Sequence, residues 1–190
     1  DSYPETCCCK LAILRRTMNE LGIKNLICAG DIFHIPKERT EFEFQVIKQL
    51  LKFKRDGIDV YFIPGNHDLS NARLDNIDKS SLGILYLTKV VSPLTKLSVV
   101  GDDGFKLNII GTPFPTDIQP VTDFTAYNIN VNHKFYNSSL DDDSLMKKDL
   151  ENYGYNCYIC GHDHVVYPLT EEYTKDGIVK IVRPGSFMRG

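Results

Sequence analysis

All five histidines of the chain follow short apolar runs, inside or beside small polar motifs. Apolar runs of this length predict strands, and open α/β sheets bind their ligands beyond the carboxyl ends of their strands. We therefore expect the histidines to meet in one site, although a single one taken alone could equally be structural. The motifs are Gly30-Asp31-Ile32-Phe33-His34, Gly65-Asn66-His67-Asp68, the lone His133 and Gly161-His162-Asp163-His164.

The side chains in these motifs are typical metal ligands. Asp31 offers an anionic oxygen that can bridge two cations, and Asn66 offers a neutral carbonyl oxygen. His133, His162 and His164 add imidazole nitrogens, which gives a mixed set suited to Mn²⁺, Fe or Zn²⁺. On extended backbone His162 and His164 point to the same side, so they can serve neighbouring metals, while the residue between them faces away.

A pair of divalent cations about 3.5–4 Å apart activates water and holds the oxygens of a phosphoryl group, as phosphoester hydrolysis requires. Such a site also needs a proton source. His67 stands beside the ligand Asn66, so we predict that it serves the leaving or a non-bridging oxygen. Asp68 could hold the imidazole of His67 in one tautomer, or it could instead be a helix or turn cap.

The elements that must position these residues are predicted from apolar spacing. Helices are expected from Pro4 to Gly22 and over residues 40–56, and Gly30, Gly65 and Gly161 stand where strands turn. Alternation of strands and helices in the first half indicates an α/β fold with a largely parallel sheet, followed by a second sheet or antiparallel additions. The predicted strands are Asn25 to Ala29, Val60 to Ile63, Lys106 to Ile110, Tyr127 to Val131, Cys157 to Cys160 and Ile178 to Val182.

Composition limits the kind of protein this can be. The 190 residues are 42% hydrophobic with a formal net charge of −3, which fits one folded domain and excludes a disordered tail. No apolar run approaches the roughly 20 residues of a membrane span, and no signal peptide is visible, so a cytoplasmic location is expected. There is no basic excess, so any phosphate recognition must be local.

Neither the cysteines nor the acidic run predicts a further metal site. Cys157 and Cys160 have zinc-ribbon spacing, but no second pair follows, and on a strand they would point to opposite faces. We interpret the six cysteines as reduced core thiols. Asp141-Asp142-Asp143 is interpreted as a solvated loop rather than a calcium site, because the EF-hand spacing and its glycine are missing.

Together these motifs resemble the signature of the calcineurin-type metallophosphoesterase superfamily: D-x-H, G-D, G-N-H-D/E, a lone His, and G-H-x-H. The last four occur here in order, over residues 30 to 164. The resemblance implies a layered fold with central β-sheets flanked by helices and a metal site at the carboxyl ends of the strands. It also implies that Asp31 bridges two metals, that Asn66, His133 and His162 complete one site, that His164 belongs to the other, and that His67 assists catalysis.

Longer stretches are similar to the nuclease subunit of SbcCD-type DNA repair complexes and its viral relatives. They are Ala29 to His34, Phe62 to Asp68, and Val182-Arg183-Pro184-Gly185-Ser186. This similarity implies a DNA exonuclease or endonuclease with Mn²⁺ as the preferred metal and Mg²⁺, Fe or Zn²⁺ as alternatives. It further implies that His34 acts near the scissile phosphate, and that the partners are DNA, a coiled-coil ATPase and a second copy in a homodimer.

The D-x-H motif is the one part of the signature that this sequence does not show. The family places it on a first strand, but here the chain opens with Asp1-Ser2-Tyr3. Three interpretations compete: the given chain lacks its true amino terminus, Asp1 is a remnant ligand, or one metal site has been lost. The missing initiator Met and first strand favour the first. As given, residues 1–190 form one catalytic domain expected to bind one metal well and to hydrolyse poorly.

Substrate contacts and alternative functions complete the predictions. Basic residues near the motif ends are candidate phosphate contacts, although each taken singly is more simply a surface charge. The motifs define the chemistry and not the substrate, so a phosphatase or phosphodiesterase acting on small molecules or proteins is an alternative. A binding scaffold that has lost catalysis is another. The candidate contacts are Lys37, Arg39, Lys134, Arg183 and Arg189.

Overall fold

The computed structural model describes residues 3–139 and 143–187. Asp1, Asp141, Asp142 and Arg189, which the sequence singled out, lie outside these ranges. No helix within the described ranges is both long enough and apolar enough to cross a membrane.

A three-stranded parallel sheet, in the order β1-β2-β3, forms the first half of the fold. Its strands are β1 (Asn25–Cys28), β2 (Asp59–Phe62) and β3 (Ser92–Pro93). The helices α1 (Tyr3–Glu20), α2 (Thr40–Arg55) and α3 (Ser81–Leu87) contribute the residues that pack with it. The apolar stripe of α2 makes this contact, with Val46, Leu50 and Phe53 all buried in the same core.

The second half is a six-stranded sheet with the strand order β4-β5-β6-β7-β9-β8. Its four central strands are parallel, while β4 and β8 add antiparallel edges. The short helix α4 precedes β7, and short 3₁₀ turns occur at 70–72, 74–79 and 147–149. The elements are β4 (Lys96–Val100), β5 (Lys106–Thr112), β6 (Tyr127–Asn132), α4 (Leu150–Tyr153), β7 (Cys157–Cys160), β8 (Thr170–Thr174) and β9 (Gly177–Val182).

The two sheets share an apolar core, and the larger sheet has a second core on its other face. Ala29, Ile63, Leu94 and Val131 pack together between the sheets. Since side chains alternate across a strand, β6 sends Val131 into this core and its neighbours to the opposite face. Because β1 and β2 belong to one sheet and β6 and β7 to the other, this shared core brings the ends of all four strands together.

These elements confirm the predicted α/β class, the two long helices and all six predicted strands, whose ends differ from the prediction by at most two residues. The sequence did not reveal β3, β4, β8, α3 or α4. Strand β8 reads Thr-Glu-Glu-Tyr-Thr at a sheet edge, so it lacks the apolar run on which strand prediction depends. All six cysteines are free thiols, and Cys7, Cys157 and Cys160 are buried, but Cys9 is exposed, so the prediction that all six lie in the core is wrong for that residue.

Candidate metal centre

The centre forms where the loop after β1 meets the end of β6. Asp31 lies just beyond β1 with φ 55°, a left-handed conformation that aspartate tolerates better than most residues. His133 directly follows β6, and its side chain is almost fully buried. Oδ2 of Asp31 and Nε2 of His133 lie 3.0 Å apart.

The protonation of His133 follows from its neighbours. Its Nδ1 lies 2.7 Å from the carbonyl oxygen of Ala29, which can only accept a hydrogen bond. In the neutral ring the proton therefore sits on Nδ1, and the lone pair of Nε2 faces the site. The same Nε2 lies 3.1 Å from Oδ1 of Asn66 and 2.8 Å from Nδ1 of His162.

Four potential ligand atoms thus converge, and three of them, on Asp31, His133 and His162, come within 4.8 Å of one another. Oδ2 of Asp31 is buried without a well-aligned hydrogen-bond partner despite its short distance to His133. A buried oxygen of this kind, beside imidazole nitrogens and an amide oxygen, is the environment that a divalent cation neutralises. The predicted ligands Asp31, Asn66, His133 and His162 are brought together, and they fit one cation.

The electrostatics of the pair agree with this. Burial opposes ionisation of Asp31, yet the neighbouring His133 and the backbone N–H of His67 hold the pKa of its carboxyl below the usual range. Burial likewise opposes protonation of His133, but Asp31 outweighs it and raises the pKa of that imidazole. The centre therefore favours positive charge, whether a proton or a metal ion supplies it.

The motif glycines are required because the loops approach so closely. A Cβ on Gly30, which has φ 96°, would lie 2.2 Å from Nδ1 of His133. A Cβ on Gly65 would lie 2.2 Å from Oδ1 of Asp31, and one on Gly161 would lie 2.0 Å from the carbonyl oxygen of Ala29. All three distances are far inside van der Waals contact, so the backbone at these positions leaves no room for a side chain.

His67 and His34 form a stacked pair beside the centre. Their ring centroids are 5.3 Å apart with an interplanar angle of 16°. Nδ1 of His67 lies 2.9 Å from the carbonyl oxygen of His34, so in the neutral ring Nδ1 carries the proton. The backbone N–H of His67 donates to Oδ1 of Asp31 at 2.9 Å. His67 is thereby tied through its backbone to Asp31, a member of the candidate ligand group.

Asp68 has a different role from the predicted support of the His67 imidazole. The buried Asp68 carboxylate accepts hydrogen bonds from the backbone N–H groups of Asp31 at 2.8 Å, Gly65 at 2.9 Å and Phe33 at 3.4 Å. These bonds tie the loop after β1 to the loop after β2, so the turn-cap interpretation is the one that the contacts support. Burial raises the pKa of Asp68 to about 6, against the opposing effect of the Gly65 N–H.

His164 is not a member of the group formed by Asp31, His133 and His162, whose ligand atoms lie within 4.8 Å of one another. Its side chain is exposed, and its carbonyl oxygen accepts a hydrogen bond from the backbone N–H of Ser186 at 3.0 Å. The carboxylate of Asp163 accepts the backbone N–H of Val165 at 3.0 Å. The described residues therefore assemble one complete ligand set.

Comparison with known proteins gives the family. A model of the calcineurin-like phosphoesterase family matches residues 8–166. The chain belongs to this family. No curated protein sequence matches it significantly.

Solved structures show the same fold at low sequence identity. This phosphoesterase is similar to the protein TT1561 of Thermus thermophilus, with a TM-score of 0.58 and 7% identity over 95% of this chain and 85% of the other. It is also similar to a dimetal phosphatase from Danio rerio, with a TM-score of 0.55 and 11% identity over 95% of this chain and 78% of the other. At these identities the likeness concerns the fold alone. Neither structure is named as a nuclease, so the SbcCD-type similarity stays a prediction.

Two of the predicted substrate contacts have other partners in the phosphoesterase. The ammonium of Lys134 is buried and forms an ion pair with the carboxylate of Asp143. The guanidinium carbon of Arg183 lies 3.8 Å from the centroid of the Tyr167 ring and 5.8 Å from that of Tyr136. These contacts show how the two side chains are held, and their predicted roles in substrate binding stay predictions.

Lys37, another of the basic candidates, is also paired, with its Nζ 3.2 Å from the carboxylate of buried Glu43.

Sequence reasoning missed two contributors to the phosphoesterase centre. The ring of Phe135 packs edge-on against His162, with centroids 4.3 Å apart. The other is the Ala29 carbonyl that fixes the tautomer of His133. The role of a backbone carbonyl cannot be predicted from residue type. Phe135, by contrast, is an aromatic residue two positions after the lone His133, and that spacing was a usable signal.

Proposed function

We propose that this phosphoesterase is a DNA nuclease that hydrolyses phosphodiesters with a divalent cation, Mn²⁺ by preference, held by Asp31, Asn66, His133 and His162. The observation that carries the proposal is the convergence of their oxygen and nitrogen atoms on Nε2 of His133 at 2.8–3.1 Å. A bound divalent cation would supply Lewis-acid chemistry, polarising a phosphoryl oxygen and lowering the pKa of a water molecule. A second cation would draw on Asp31 and His164.

The chain's own residues supply the proton transfer. With its Nδ1–H donated to the His34 carbonyl, His67 has Nε2 available to deliver a proton to the leaving oxygen of the substrate. The stacked ring of His34 limits how His67 can turn, and it stands exposed where a phosphate in a longer strand would pass. This arrangement supports the assignment of His67 as the general acid and of His34 as its neighbour at the scissile phosphate.

The surroundings of the centre favour an extended substrate over a small one. The side chains of His34 and His164 are exposed, and those of His67 and His162 are half-buried. An open surface of this kind accepts a phosphodiester within a polymer without requiring that the ends of the strand be enclosed. We extend the proposal to a coiled-coil ATPase and a homodimer as partners, on the sequence similarity alone.

A phosphatase or small-molecule phosphodiesterase is the second candidate, since the similar Danio rerio structure is a dimetal phosphatase. The two are separated by assaying linear and plasmid DNA beside an aryl phosphate diester and an aryl phosphate monoester, each with Mn²⁺ and with chelator. Metal-dependent cleavage of DNA at a higher kcat/KM than either aryl ester supports the nuclease. Preference for the monoester would overturn it in favour of the phosphatase.

A catalytically inactive scaffold is distinguished by His67→Ala in the same assays. If cleavage falls while Mn²⁺ still binds, the protein is an enzyme and His67 belongs to its chemistry. Wild-type protein that binds Mn²⁺ tightly but cleaves none of these substrates would favour the scaffold instead.

A further inference from the structure

Three buried asparagines alternate along β6 on the face away from Asp31. Asn128, Asn130 and Asn132 are 2%, 0% and 0% exposed, while Val131 between them packs in the core shared by the two sheets. Alternation therefore sends His133 toward the centre and Asn132 to the opposite face. Asn132 touches no ligand with its side chain, yet it is adjacent to one in the chain.

Asn132 closes the turn that carries His133. Its Oδ1 accepts the backbone N–H of Lys134 at 3.2 Å, which spans His133 from one side to the other. Its Nδ2 donates to Oδ1 of Asn130 at 2.9 Å, and Nδ2 of Asn130 donates in turn to Oγ1 of Thr112 at 2.9 Å. A continuous chain of side-chain hydrogen bonds thus runs from β5 through β6 to the turn at His133.

The backbone of the same residue connects the two histidine ligands. Asn132 pairs with Cys160 at the last described rung between β6 and β7, and its carbonyl oxygen accepts the N–H of Gly161 at 3.0 Å. His133 directly follows Asn132, and His162 directly follows Gly161. Asn132 therefore fixes both the turn at His133 and the spacing between His133 and His162. Nε2 of His133 and Nδ1 of His162 lie 2.8 Å apart.

We infer that Asn132 is a positioning residue that holds His133 and His162 in the geometry needed to bind a cation. The inference rests on the proposed metal centre and adds a residue that does not coordinate. Groups that orient metal ligands through hydrogen bonds typically contribute about 10–100-fold to metal affinity. Loss of the Asn132 side chain should therefore weaken cation binding although every ligand remains.

The test is calorimetric titration of the metal-free protein with Mn²⁺, for wild type, Asn132→Ala and Asn128→Ala. Asn128 is the matched control, because it is an equally buried asparagine on the same face of the same strand, and its Nδ2 bonds the carbonyls of Asp123 and Ala126, far from either histidine. Asn132→Ala should raise the Kd for Mn²⁺ at least about tenfold, and Asn128→Ala less than about threefold. Equal effects of the two would overturn the inference.

Two further measurements separate positioning from general loss of stability. Asn132→Ser restores a hydroxyl that can accept the N–H two residues on, so its affinity should lie between those of wild type and Asn132→Ala. The visible absorption spectrum of bound Co²⁺ should change for Asn132→Ala and stay as in wild type for Asn128→Ala. An unchanged Co²⁺ spectrum in Asn132→Ala would contradict the positioning role.

If Asn132→Ala does not fold, Thr112→Val tests the other end of the same hydrogen-bond chain, with Ser98→Ala as its control, because Ser98 bonds Asn108 outside that chain. Thr112→Val should weaken Mn²⁺ binding and Ser98→Ala should not; the absence of a difference would overturn the inference. If wild-type protein binds no Mn²⁺, the proposed metal centre itself is wrong. If wild type and Asn132→Ala both bind Mn²⁺ tightly, the metal centre stands and only the positioning role of Asn132 is wrong.

Discussion

Oδ2 of Asp31 and Nε2 of His133 face each other at 3.0 Å, although Asp31 belongs to the loop after β1 in one sheet and His133 to the end of β6 in the other. The contact therefore depends on the packing of the two sheets. A cation held between these atoms would bond both halves of the fold. Metal affinity and the stability of the folded chain are for this reason coupled.

Replacing Asp31 with asparagine should abolish tight metal binding. The substitution preserves size but removes the negative charge that balances a cation in a buried site, so the Kd for Mn²⁺ should rise at least about 100-fold. Calorimetry of the metal-free protein measures this directly. Asp163→Asn is the matched control, because Asp163 lies in a neighbouring motif with its carboxylate on the N–H of Val165, and it should bind as wild type does.

Metal removal should lower the melting temperature. A ligand that binds only the folded state at about 100 times its Kd stabilises it by about 2.7 kcal/mol, or roughly 5–10 °C for a chain of this size. Thermal denaturation with and without chelator checks this, and the same titration gives the stoichiometry. One tight Mn²⁺ per chain is expected from the four assembled ligands, and two tight ions per chain would contradict it.

How much of this could be predicted from sequence depends on the range of the interaction. Asp31, His133 and His162 were found because each closely follows an apolar run, and parallel strands bring their carboxyl ends to one edge. The partners of Lys134 and Asp68, which are Asp143 and the N–H groups of the β1 loop, could not be predicted because they are set by how separate segments pack. Contacts of this kind cannot be deduced from the order of residues along the chain.

His67→Ala should separate catalysis from metal binding. The side chain of His67 is not in the ligand group, so the Kd for Mn²⁺ should change less than about threefold, while loss of a general acid should lower kcat about 10²–10⁴-fold. Measuring kcat on the preferred phosphodiester and the Kd by calorimetry tests both. An unchanged kcat would remove His67 from the mechanism.

Asp68→Asn should loosen the two ligand-bearing loops. The two carboxylate oxygens of Asp68 accept hydrogen bonds from three backbone N–H groups, whereas the asparagine amide has only one oxygen. At least one of these buried N–H groups would therefore lose its hydrogen bond. We expect a loss of about 1–3 kcal/mol in the free energy of unfolding, together with weaker Mn²⁺ binding. Denaturant unfolding measures the first effect.

The control for Asp68 is Asp123→Asn. The Asp123 carboxylate also accepts a backbone N–H, that of Thr125 at 2.9 Å, but it does so at the exposed surface. Its replacement should cost less than about 0.5 kcal/mol. If the two substitutions destabilise the protein equally, the bonds from Asp68 to the loops after β1 and β2 contribute no more than a surface turn.

Gly65→Ala should disrupt the centre by steric overlap alone. The added methyl group would lie 2.2 Å from Oδ1 of Asp31 and 2.6 Å from its backbone nitrogen, so the loop after β1 must move away. Weaker Mn²⁺ binding and a loss of more than about 2 kcal/mol in unfolding free energy are expected. Gly57→Ala separates this from backbone strain, because Gly57 has φ 69° and nothing within 4 Å of its added Cβ. Gly57→Ala should lose about 1–2 kcal/mol of unfolding free energy because of its left-handed backbone, and it should keep wild-type metal affinity. A Gly65→Ala protein that binds Mn²⁺ as tightly as wild type would show that the two loops need not approach so closely.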